Sequence, residues 1–302
     1  MMKHIILTGA NGFVGRYVLK RLYDEGYSIM TITRQSFCCE VENIRHIYVD
    51  LFQDESVNDC LPLINQADVL VHLAADTCVP GDGNTIGNNI KIMQSVLEIA
   101  MAAKVKQFIY LSSIPVIGNI KYLPIDENHP VCPKTSYHWS KFLCEKMLEQ
   151  YKEKFQSTTV IRIPSPIGVG MKRNVFLSVL VDRFKNNEDV EIYGKGARVQ
   201  NYIDVRDISG AILKAIESEP NGVFLVGGER AISNLELARL IKRISGSASK
   251  IHTGIYEDSE ESDKWIISCD KANRIFGYTA TYHIEDTINW IIGENDENCS
   301  FF

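Results

Sequence analysis

Long apolar runs, basic stretches and closely spaced cysteines are what this chain of 302 residues has least of. No window approaches the ~18 apolar residues that a membrane span needs. The N-terminal apolar stretch is too short, and too soon followed by glycine, for a signal peptide. A net charge of −6 without any basic run argues against nucleic acid as the main partner. We therefore expect a cytoplasmic protein with neither a membrane nor a nucleic-acid partner.

The eight cysteines are scattered, and Cys38 and Cys39 are the only close pair. No CxxC motif occurs. This pattern predicts reduced thiols and no metal site. The acidic segment 256–264 also lacks the ligand spacing of a metal site, and we predict that it is a solvated loop.

Apolar, β-rich runs alternate with helical patterns through the first half of the chain. The predicted strands are 4–10, 28–34, 45–50, 68–75 and 107–113, and the predicted long helices are 16–26, 88–105 and 136–155. A further strand, 157–168, breaks at Pro164, and Ser233 with Glu236 forms a capping box at the start of a later helix. Alternation of this kind predicts a parallel sheet with helices on both faces.

A glycine-rich stretch, TGANGFVG, joins the first predicted strand to the first helix. Gly9 permits a tight turn, Gly12 lets the backbone approach a pyrophosphate, and Gly15 lets helix and strand pack closely. The helix N-terminus then faces the anion. A plain strand–helix turn is the alternative, but the position at the first strand favours dinucleotide binding. Three more residues of this turn are assigned to the cofactor: Asn11, Phe13 and Val14.

The second predicted strand ends in Thr33 and Arg34. NAD-selective folds usually carry an acid at this point, which binds the ribose 2′-hydroxyl. An arginine suits a bidentate contact with a 2′-phosphate instead. We therefore predict NADP in preference to NAD; the alternative is a solvated surface arginine.

The ends of the third and fourth predicted strands also face the expected cofactor site. Asp50, followed by Leu51, could bind the adenine amino group. Small residues after the fourth strand let a cofactor lie close, and the residues concerned are Leu73, Ala74 and Ala75. We expect His72, just before them, to be a buried structural histidine.

Tyr137 and Lys141 lie four residues apart at the start of a predicted helix and project from one face. A phenol with a pKa near ~10 is a poor base at neutral pH. A nearby ammonium favours the phenolate, so we expect Lys141 to lower the pKa of Tyr137. The YxxxK spacing alone is common on helix surfaces. Combined with the glycine turn and the adjacent Ser112 and Ser113, it indicates an active site.

Together these motifs resemble the extended short-chain dehydrogenase/reductase family, the NAD(P)-dependent nucleotide-sugar epimerases and dehydratases. The matching stretches are TGANGFVG, DL at 50–51, HLAA, NIKIMQSVLEIA, LSSIPVIG, YHWSK, GKGARVQNYIDVRDI and SCDKANRIFGY. The resemblance covers nearly the whole chain. It implies an α/β fold with a Rossmann-type, doubly wound parallel sheet and a smaller, interwoven C-terminal α/β substrate domain. We expect the cofactor domain over 1–165 plus about 200–225, and the substrate domain over about 166–199 and 226–302.

The resemblance also implies roles for individual residues. Tyr137 would be the acid/base, Lys141 would bind the nicotinamide ribose, and Ser113 would assist at the substrate oxygen. The remaining matches are Ser112, Asn89 and Pro164 on the cofactor side, and Thr77, Ser165, Arg198 and Gln200 on the substrate side. The family further implies a homodimer through a four-helix bundle built from helices 88–105 and 136–155.

Three departures from the family pattern bear on the reaction. Dehydratases of the family carry an Asp-Glu pair after the catalytic hydroxyl, where this chain has Ile114 and Pro115, which cannot transfer protons. A 4,6-dehydratase is therefore not expected. Ser165 replaces a substrate-contacting asparagine. Gln200 replaces an arginine that often binds the nucleotide diphosphate, and Arg198 lies close enough to compensate.

We expect hydride transfer at a sugar carbon, C4, of a nucleotide diphosphate sugar. The cofactor argument leans slightly towards an NADPH-dependent 4-ketoreductase. The alternative is a nucleotide-sugar 4-epimerase, similar to UDP-glucose 4-epimerase, with tightly bound NAD. Further alternatives are a reductase of a non-sugar ketone and a catalytically silent NADP-sensing protein.

Overall fold

The computed structural model describes residues 3–35, 42–77 and 84–293, so the Cys38–Cys39 pair lies outside the described residues. The strands are β1 (His4–Thr8), β2 (Ser28–Thr33), β3 (Ile44–Tyr48), β4 (Val69–His72), β5 (Gln107–Ser113), β6 (Ser157–Ile163), β7 (Ser165–Ile167), β8 (Val190–Ile192), β9 (Val199–Asp204), β10 (Gly222–Leu225), β11 (Ala231–Ser233) and β12 (Ile251–Thr253). The helices are α1 (Phe13–Asp24), α2 (Asp54–Cys60), α3 (Thr85–Ala102), α4 (Ser136–Gln150), α5 (Phe176–Lys185), α6 (Val205–Ser218), α7 (Asn234–Ser245), α8 (Asp270–Phe276) and α9 (Ile284–Gly293).

Seven of these strands form one parallel sheet in the order β10-β6-β5-β4-β1-β2-β3. This confirms the predicted parallel, Rossmann-type sheet. The order reverses between β1 and β4, because β2 and β3 extend from one side of β1 and β4 to β6 extend from the other. In open α/β sheets, ligands bind beyond the carboxyl ends of the strands at such a reversal. Thr8 and His72 mark that edge.

Helices cover both faces of the sheet, as the alternating pattern predicted. On one face, α1 and α6 bury residues such as Val18 and Ile212 against β1 and β5. On the other face, α3 and α4 bury residues such as Met93 and Leu148. Strands that are buried on both faces have nearly continuous apolar sequences. For this reason, β1 and β4 could be predicted from the sequence.

All three predicted helices differ from the observed ones at their boundaries, and the helix predicted over 88–105 is α3, Thr85–Ala102. The first helix begins at Phe13 rather than 16, directly after the glycine turn. The helix predicted over 136–155 ends at Gln150, and a single 3₁₀ turn, Lys152–Lys154, follows it. The short helix α2 was not predicted. Its seven residues carry too few apolar positions to show a helical period.

The predicted break at Pro164 is confirmed. Strand β6 ends at Ile163, and β7 begins at Ser165 in a different sheet of order β11-β9-β7. Proline has no N–H to donate, so it suits the point where the chain leaves a central strand.

The C-terminal part has a core of its own, in which α5 and α7 pack over β8 and β9 through residues such as Leu180, Phe184 and Ile241. The predicted capping box at the start of α7 is confirmed, with both Ser233–Glu236 hydrogen bonds present. We keep the division into a cofactor and a substrate domain, with the boundaries given above, as a proposal.

The described cysteines, Cys60, Cys132, Cys144 and Cys269, are free thiols. In the part of the chain that the structure describes, no three His, Cys, Asp or Glu side chains are grouped so that they could hold a metal ion. Within the same residues, no helix combines the length and the apolar character of a membrane span.

Candidate active site

The glycine turn lies against the end of β4. Gly9 has φ +76°, and a Cβ at this position would lie 2.6 Å from the main-chain nitrogen of Ala74. A Cβ at Gly15 would lie 2.0 Å from the carbonyl oxygen of Gly9. Both contacts are too close for any larger residue, so the turn requires glycine for its close packing.

The N-terminus of α1 is open to a ligand. Gly12 precedes the helix without a side-chain cap, and the first turn contains no acidic residue. The unpaired amide groups of a helix N-terminus favour an anion. Asn11, Phe13 and Val14 are half-buried around this turn. These features fit the pyrophosphate of a dinucleotide.

At the end of β2, the two residues that bear on cofactor choice have different surroundings. Thr33 is buried and donates a hydrogen bond to the carbonyl of Gln35, at 2.9 Å. Arg34 is exposed, and its guanidinium lies 5.5 Å from the ring centre of Phe52. Arg34 therefore keeps its charge in solvent, where it could meet a phosphate.

After β3, the Asp50 side chain already has hydrogen-bond partners, whereas the residues directly after β4 are apolar. The Asp50 carboxylate accepts hydrogen bonds from Phe52 N and Gln53 Nε2 and shapes the start of α2. Leu51 is 6% exposed and packs in the core with residues of α3, and its contact with the cofactor stays a prediction. Leu73, Ala74 and Ala75 are half-buried at the edge of the sheet.

His72 is a buried structural residue, as predicted. One ring nitrogen pairs with the hydroxyl of Thr8 at 2.8 Å, and the ring stacks on Tyr110. Burial, and to a smaller extent the charge of Lys141, lowers the pKa of His72 to about 3. The imidazole is therefore neutral at physiological pH, and its contacts with Thr8 and Tyr110 are structural.

Helix α4 brings Lys141 and Tyr137 to the end of β5. Thr135 caps the helix, so that it begins just before Tyr137. Lys141 is 4% exposed and donates a hydrogen bond to the Leu111 carbonyl, two residues before Ser113, at 2.9 Å. Its ammonium lies 5.8 Å from the ring centre of Tyr137. The three residues proposed for catalysis thus meet at one edge of the sheet.

The expected effect of Lys141 on the Tyr137 pKa is wrong for this state of the protein. Burial raises the pKa of Tyr137 to about 12, and burial lowers the pKa of Lys141 to about 8. The ammonium donates to Leu111 rather than to the phenol, so the cost of burying a phenolate outweighs its attraction. Tyr137 is therefore protonated at neutral pH. Among the described residues, neither its hydroxyl nor that of Ser113 has a hydrogen-bond partner, so both can bind a substrate oxygen.

Ser112 belongs to a buried ion-pair network. Its hydroxyl donates to Glu145 at 2.5 Å, and Glu145 accepts two hydrogen bonds from Arg162, at 3.0 and 2.7 Å. The hydroxyl of Ser112 is thus buried and already engaged by Glu145, and its contact with the cofactor stays a prediction. Neither Glu145 nor Arg162 was predicted as part of the site. Glu145 follows Lys141 by four residues, as Lys141 follows Tyr137, so repeating this spacing once more along the helix would have identified Glu145.

Asn89 fixes the chain after β4. Its side chain accepts from the Asp76 amide at 2.7 Å and donates to the Asp76 carbonyl and to Ser140 Oγ, at 3.0 and 2.8 Å. All of its hydrogen bonds are internal and it is 2% exposed. Asn89 thus connects α3, α4 and the segment beside the expected nicotinamide position.

Two of the proposed substrate residues, Ser165 and Thr77, follow the carboxyl ends of β6 and β4. Ser165 is exposed and lies opposite Tyr202 in the β7–β9 pairing, and the preceding Pro164, predicted to contact the cofactor, is buried. Thr77 is exposed and accepts a hydrogen bond from Lys172 at 2.8 Å. Lys172 was not predicted, because no sequence pattern connects it with Thr77.

Arg198 and Gln200 are both engaged by side chains. Gln200 donates to Asn234 at 2.9 Å. Arg198 forms ion pairs with Glu260 and, at 4.0 Å, with Asp258. The segment 256–264 is a loop, as predicted, but within it Asp258 is largely buried and Glu260, although 36% exposed, is paired with Arg198. Main-chain hydrogen bonds between Val199 and the end of this segment hold it against β9.

The chain matches the family model described as "NAD dependent epimerase/dehydratase family" over residues 5–227. This confirms the resemblance that the motifs indicated.

Individual relatives share the fold along most of the chain. A dTDP-glucose 4,6-dehydratase of Streptomyces antibioticus is 23% identical in sequence, and the match covers 95% of this chain and 92% of the relative. The UDP-glucose 4-epimerase of Thermotoga maritima, solved with UDP-glucose, has a TM-score of 0.85 at 24% identity, covering 96% and 97%. MoeE5, solved with UDP-glucose and NAD, has a TM-score of 0.82 at 22% identity, with the same coverage. The structural likenesses show the shared fold.

Proposed function

The chain belongs to the NAD-dependent epimerase/dehydratase family, and from this premise we propose that it is a nucleotide-sugar 4-epimerase that retains NAD through the catalytic cycle. The observation that carries the proposal is that Ser113, Tyr137 and Lys141 lie at the same carboxyl edge of the sheet as the open N-terminus of α1. Family relatives solved with UDP-glucose support a UDP-sugar as the substrate. We prefer the epimerase to the ketoreductase because the family description names NAD, and because structural relatives include UDP-sugar 4-epimerases, one of them solved with NAD.

The glycine turn and the N-terminus of α1 would hold the pyrophosphate of NAD, and Lys141 would hold the nicotinamide ribose. Bound NAD supplies a hydride acceptor and donor. Tyr137 takes the proton from the sugar hydroxyl when the carbon is oxidised and returns it when the ketone is reduced. Ser113 holds the same oxygen. Positive charge near the phenol, including that of Lys141, must lower the Tyr137 pKa from about 12 before it can act as a base.

Elimination of water is not part of the proposal. Ile114 and Pro115 follow Ser113 in a 3₁₀ turn, where Ile114 is fully buried. Neither side chain can donate or accept a proton, so this edge of the site lacks the acid and base that a 4,6-dehydratase needs. The same argument does not affect hydride transfer.

A second candidate is an NADPH-dependent 4-ketoreductase, which would use the same three catalytic residues. The observation in its favour is Arg34, an exposed cation at the end of β2 where NAD-binding folds usually carry an acid. A reductase would exchange its cofactor in each turnover, whereas an epimerase would keep it.

Denaturing release of cofactor from the purified protein tests these two candidates. Stoichiometric NAD, together with interconversion of UDP-glucose and UDP-galactose without added cofactor, is the expected result. Cofactor-free protein that oxidises NADPH with a 4-keto nucleotide sugar would instead support the reductase. Failure of every nucleotide diphosphate sugar to bind in calorimetry would contradict both and favour a non-sugar ketone. Full cellular function of Tyr137→Phe would favour a catalytically silent sensor.

We also propose a homodimer in which α3 and α4 pair with the same helices of a second copy. Helices α3 and α4 pack side by side through their buried faces. On the outer side of α4, Trp139 is 42% exposed and its ring lies edge-on to Phe142. Aromatic residues such as tryptophan are enriched in protein interfaces, which is consistent with an interface on this side of α4. The cytoplasmic location stays a prediction.

A further inference from the structure

The Glu260 carboxylate lies between two cations that come from different parts of the chain. One oxygen is 3.6 Å from Lys134 Nζ, and the other is paired with the guanidinium of Arg198. Lys134 lies three residues before Tyr137, in the loop that leads into α4, and Arg198 immediately precedes β9. An anion is therefore held between the catalytic helix and the strand that carries the proposed substrate residues.

The carboxylates outnumber the cations at this point. Asp263 lies 3.9 Å from Lys134, and Asp258 lies 4.0 Å from Arg198. With Glu260 in place, three carboxylates face two cations. Asp258 and Asp263 lie beyond hydrogen-bond distance of the cations, so Glu260 is the acid whose displacement opens the donors of Lys134 and Arg198 to an external acceptor.

Two buried polar atoms next to this position lack partners within the residues that the structure describes: Arg198 Nε and the Tyr202 hydroxyl. Tyr202 is 6% exposed, and strand alternation places it on the same face of β9 as Gln200 and Arg198. The Arg198 charge lowers the pKa of Tyr202 against the larger, opposite effect of burial, which shows that the two groups are close. Buried polar atoms are nearly always hydrogen-bonded, so this face is suited to a ligand with several acceptor oxygens.

We propose that Lys134 and Arg198 form the subsite for the diphosphate of the substrate, and that Glu260 occupies this subsite until the diphosphate displaces it. The proposal rests on the nucleotide-sugar function proposed above. A carboxylate and a phosphate offer similar acceptors to a guanidinium, so one can replace the other. The diphosphate subsite would thus be built from Lys134 and Arg198, in a chain where Gln200 stands at the usual position of the arginine.

Displacement requires little rearrangement. The Lys134 and Glu260 side chains are 42% and 36% exposed, and ion pairs with this exposure contribute little to stability. The acidic segment itself is held by main-chain bonds from Val199 to Asp263 and from Trp265 to Val199. Only the Glu260 side chain has to turn outwards, while the segment stays in place as the wall of the subsite.

Calorimetric titration of the purified protein, with the cofactor it retains, by UDP tests the competition. Glu260→Gln should bind UDP about three- to tenfold more tightly, because a weak ion pair no longer competes. The matched control is Glu257→Gln, which removes the same charge from an exposed residue of the same segment that has no described partner. Its affinity should equal that of the wild type. Arg198→Met should weaken UDP binding at least tenfold. In the double variant with Arg198→Met, Glu260→Gln should no longer change the affinity. If Arg198→Met does not fold, Lys134→Met replaces it in both measurements.

Unchanged or weaker UDP binding by Glu260→Gln would overturn the proposal. So would equal tightening by Glu257→Gln, because the effect would then be one of general charge. Inorganic pyrophosphate separates this outcome from failure of the proposed function. If UDP does not bind but Glu260→Gln still tightens pyrophosphate binding, the anion subsite stands and the nucleotide-sugar function fails. If UDP-sugars are epimerised and neither ligand responds to Glu260→Gln, the function stands and the subsite fails.

Discussion

The hydroxyl of Ser112 and the carboxylate of Glu145 lie 2.5 Å apart, with Ser112 donating. Glu145 also holds the guanidinium of Arg162, and the side chains of the ion pair are each 5% exposed. This network joins α4 to β5 and β6 directly behind Ser113. The residue proposed to hold the substrate oxygen is therefore next to the most deeply buried ion pair described in the protein.

Removing the charge of Glu145 should destabilise the protein strongly. In Glu145→Gln, Arg162 keeps a buried charge without an anion, and we expect the free energy of unfolding to fall by about 3–5 kcal/mol. Urea denaturation measures this loss. Glu149→Gln is the control, because it breaks an exposed pair with Lys146 on the same helix and should change stability by less than about 0.5 kcal/mol. Equal effects of the two changes would contradict the role of burial.

Replacing both partners separates a buried charge from a lost contact. A double variant, Glu145→Leu with Arg162→Leu, should lose less stability than Glu145→Gln, because no unpaired charge remains in the interior. A double variant that is the less stable of the two would show that the hydrogen bonds, rather than the unpaired charge, dominate.

Tyr137→Phe should reduce the rate of epimerisation about 10²- to 10⁴-fold, because the phenol is the proposed proton donor and acceptor. The amount of cofactor that copurifies should be unchanged, since the ring remains. Tyr151→Phe is the control: it makes the same chemical change at an exposed residue after the same helix and should leave the rate unchanged. Retention of the wild-type rate by Tyr137→Phe would rule out its catalytic role.

The buried Lys141 should make stability depend on pH. Its pKa falls from 10.5 to about 8 on folding, so between these values the unfolded chain binds more protons than the folded one. Stability contributed by this group therefore increases as the pH rises through that range, by up to about 3 kcal/mol. Lys141→Met cannot titrate there. The difference in unfolding free energy, wild type minus variant, should thus increase between about pH 7 and about pH 10 in urea titrations. A constant difference would show that Lys141 is not desolvated.

Arg34→Ala tests the choice of cofactor. If Arg34 contacts a 2′-phosphate, the variant should lose at least about tenfold in NADP affinity, while NAD affinity changes less than about twofold. Fluorescence titration of the nicotinamide cofactors in their reduced forms measures both. Arg21→Ala removes an exposed arginine that pairs with Glu25 on α1 and is the matched control. No change in either affinity would identify Arg34 as a solvated surface residue.

Trp139→Glu should convert the proposed dimer to monomers, because it places a charge on the outer face of α4, in the first turn of the helix. Light scattering after size-exclusion chromatography gives the mass directly. Tyr193→Glu, at an aromatic residue that is 56% exposed in the C-terminal part of the chain, should not change the mass. A wild-type protein that is monomeric from the start would contradict the helix-bundle interface.

Features that depend on neighbours in sequence were predictable. The order of strands and helices, the break at Pro164 and the Ser233–Glu236 cap follow from apolar periodicity and from the backbone limits of single residues. That Lys141 lies at the carboxyl end of β5, at the sheet edge that also carries the glycine turn, is consistent with the rule that parallel strands bring their carboxyl ends to one edge.

Features that depend on distant parts of the chain were decided by the tertiary structure. The Glu260–Arg198 and Ser112–Glu145–Arg162 contacts join segments whose spacing carries no periodic signal. The pKa of Tyr137 moved in the opposite direction to the one that its helical spacing from Lys141 suggested. The sequence by itself determined which residues share a face or an edge. Only the fold decided which charges are buried and which carboxylate reaches which cation, because burial and long-range ion pairs arise when distant segments pack together.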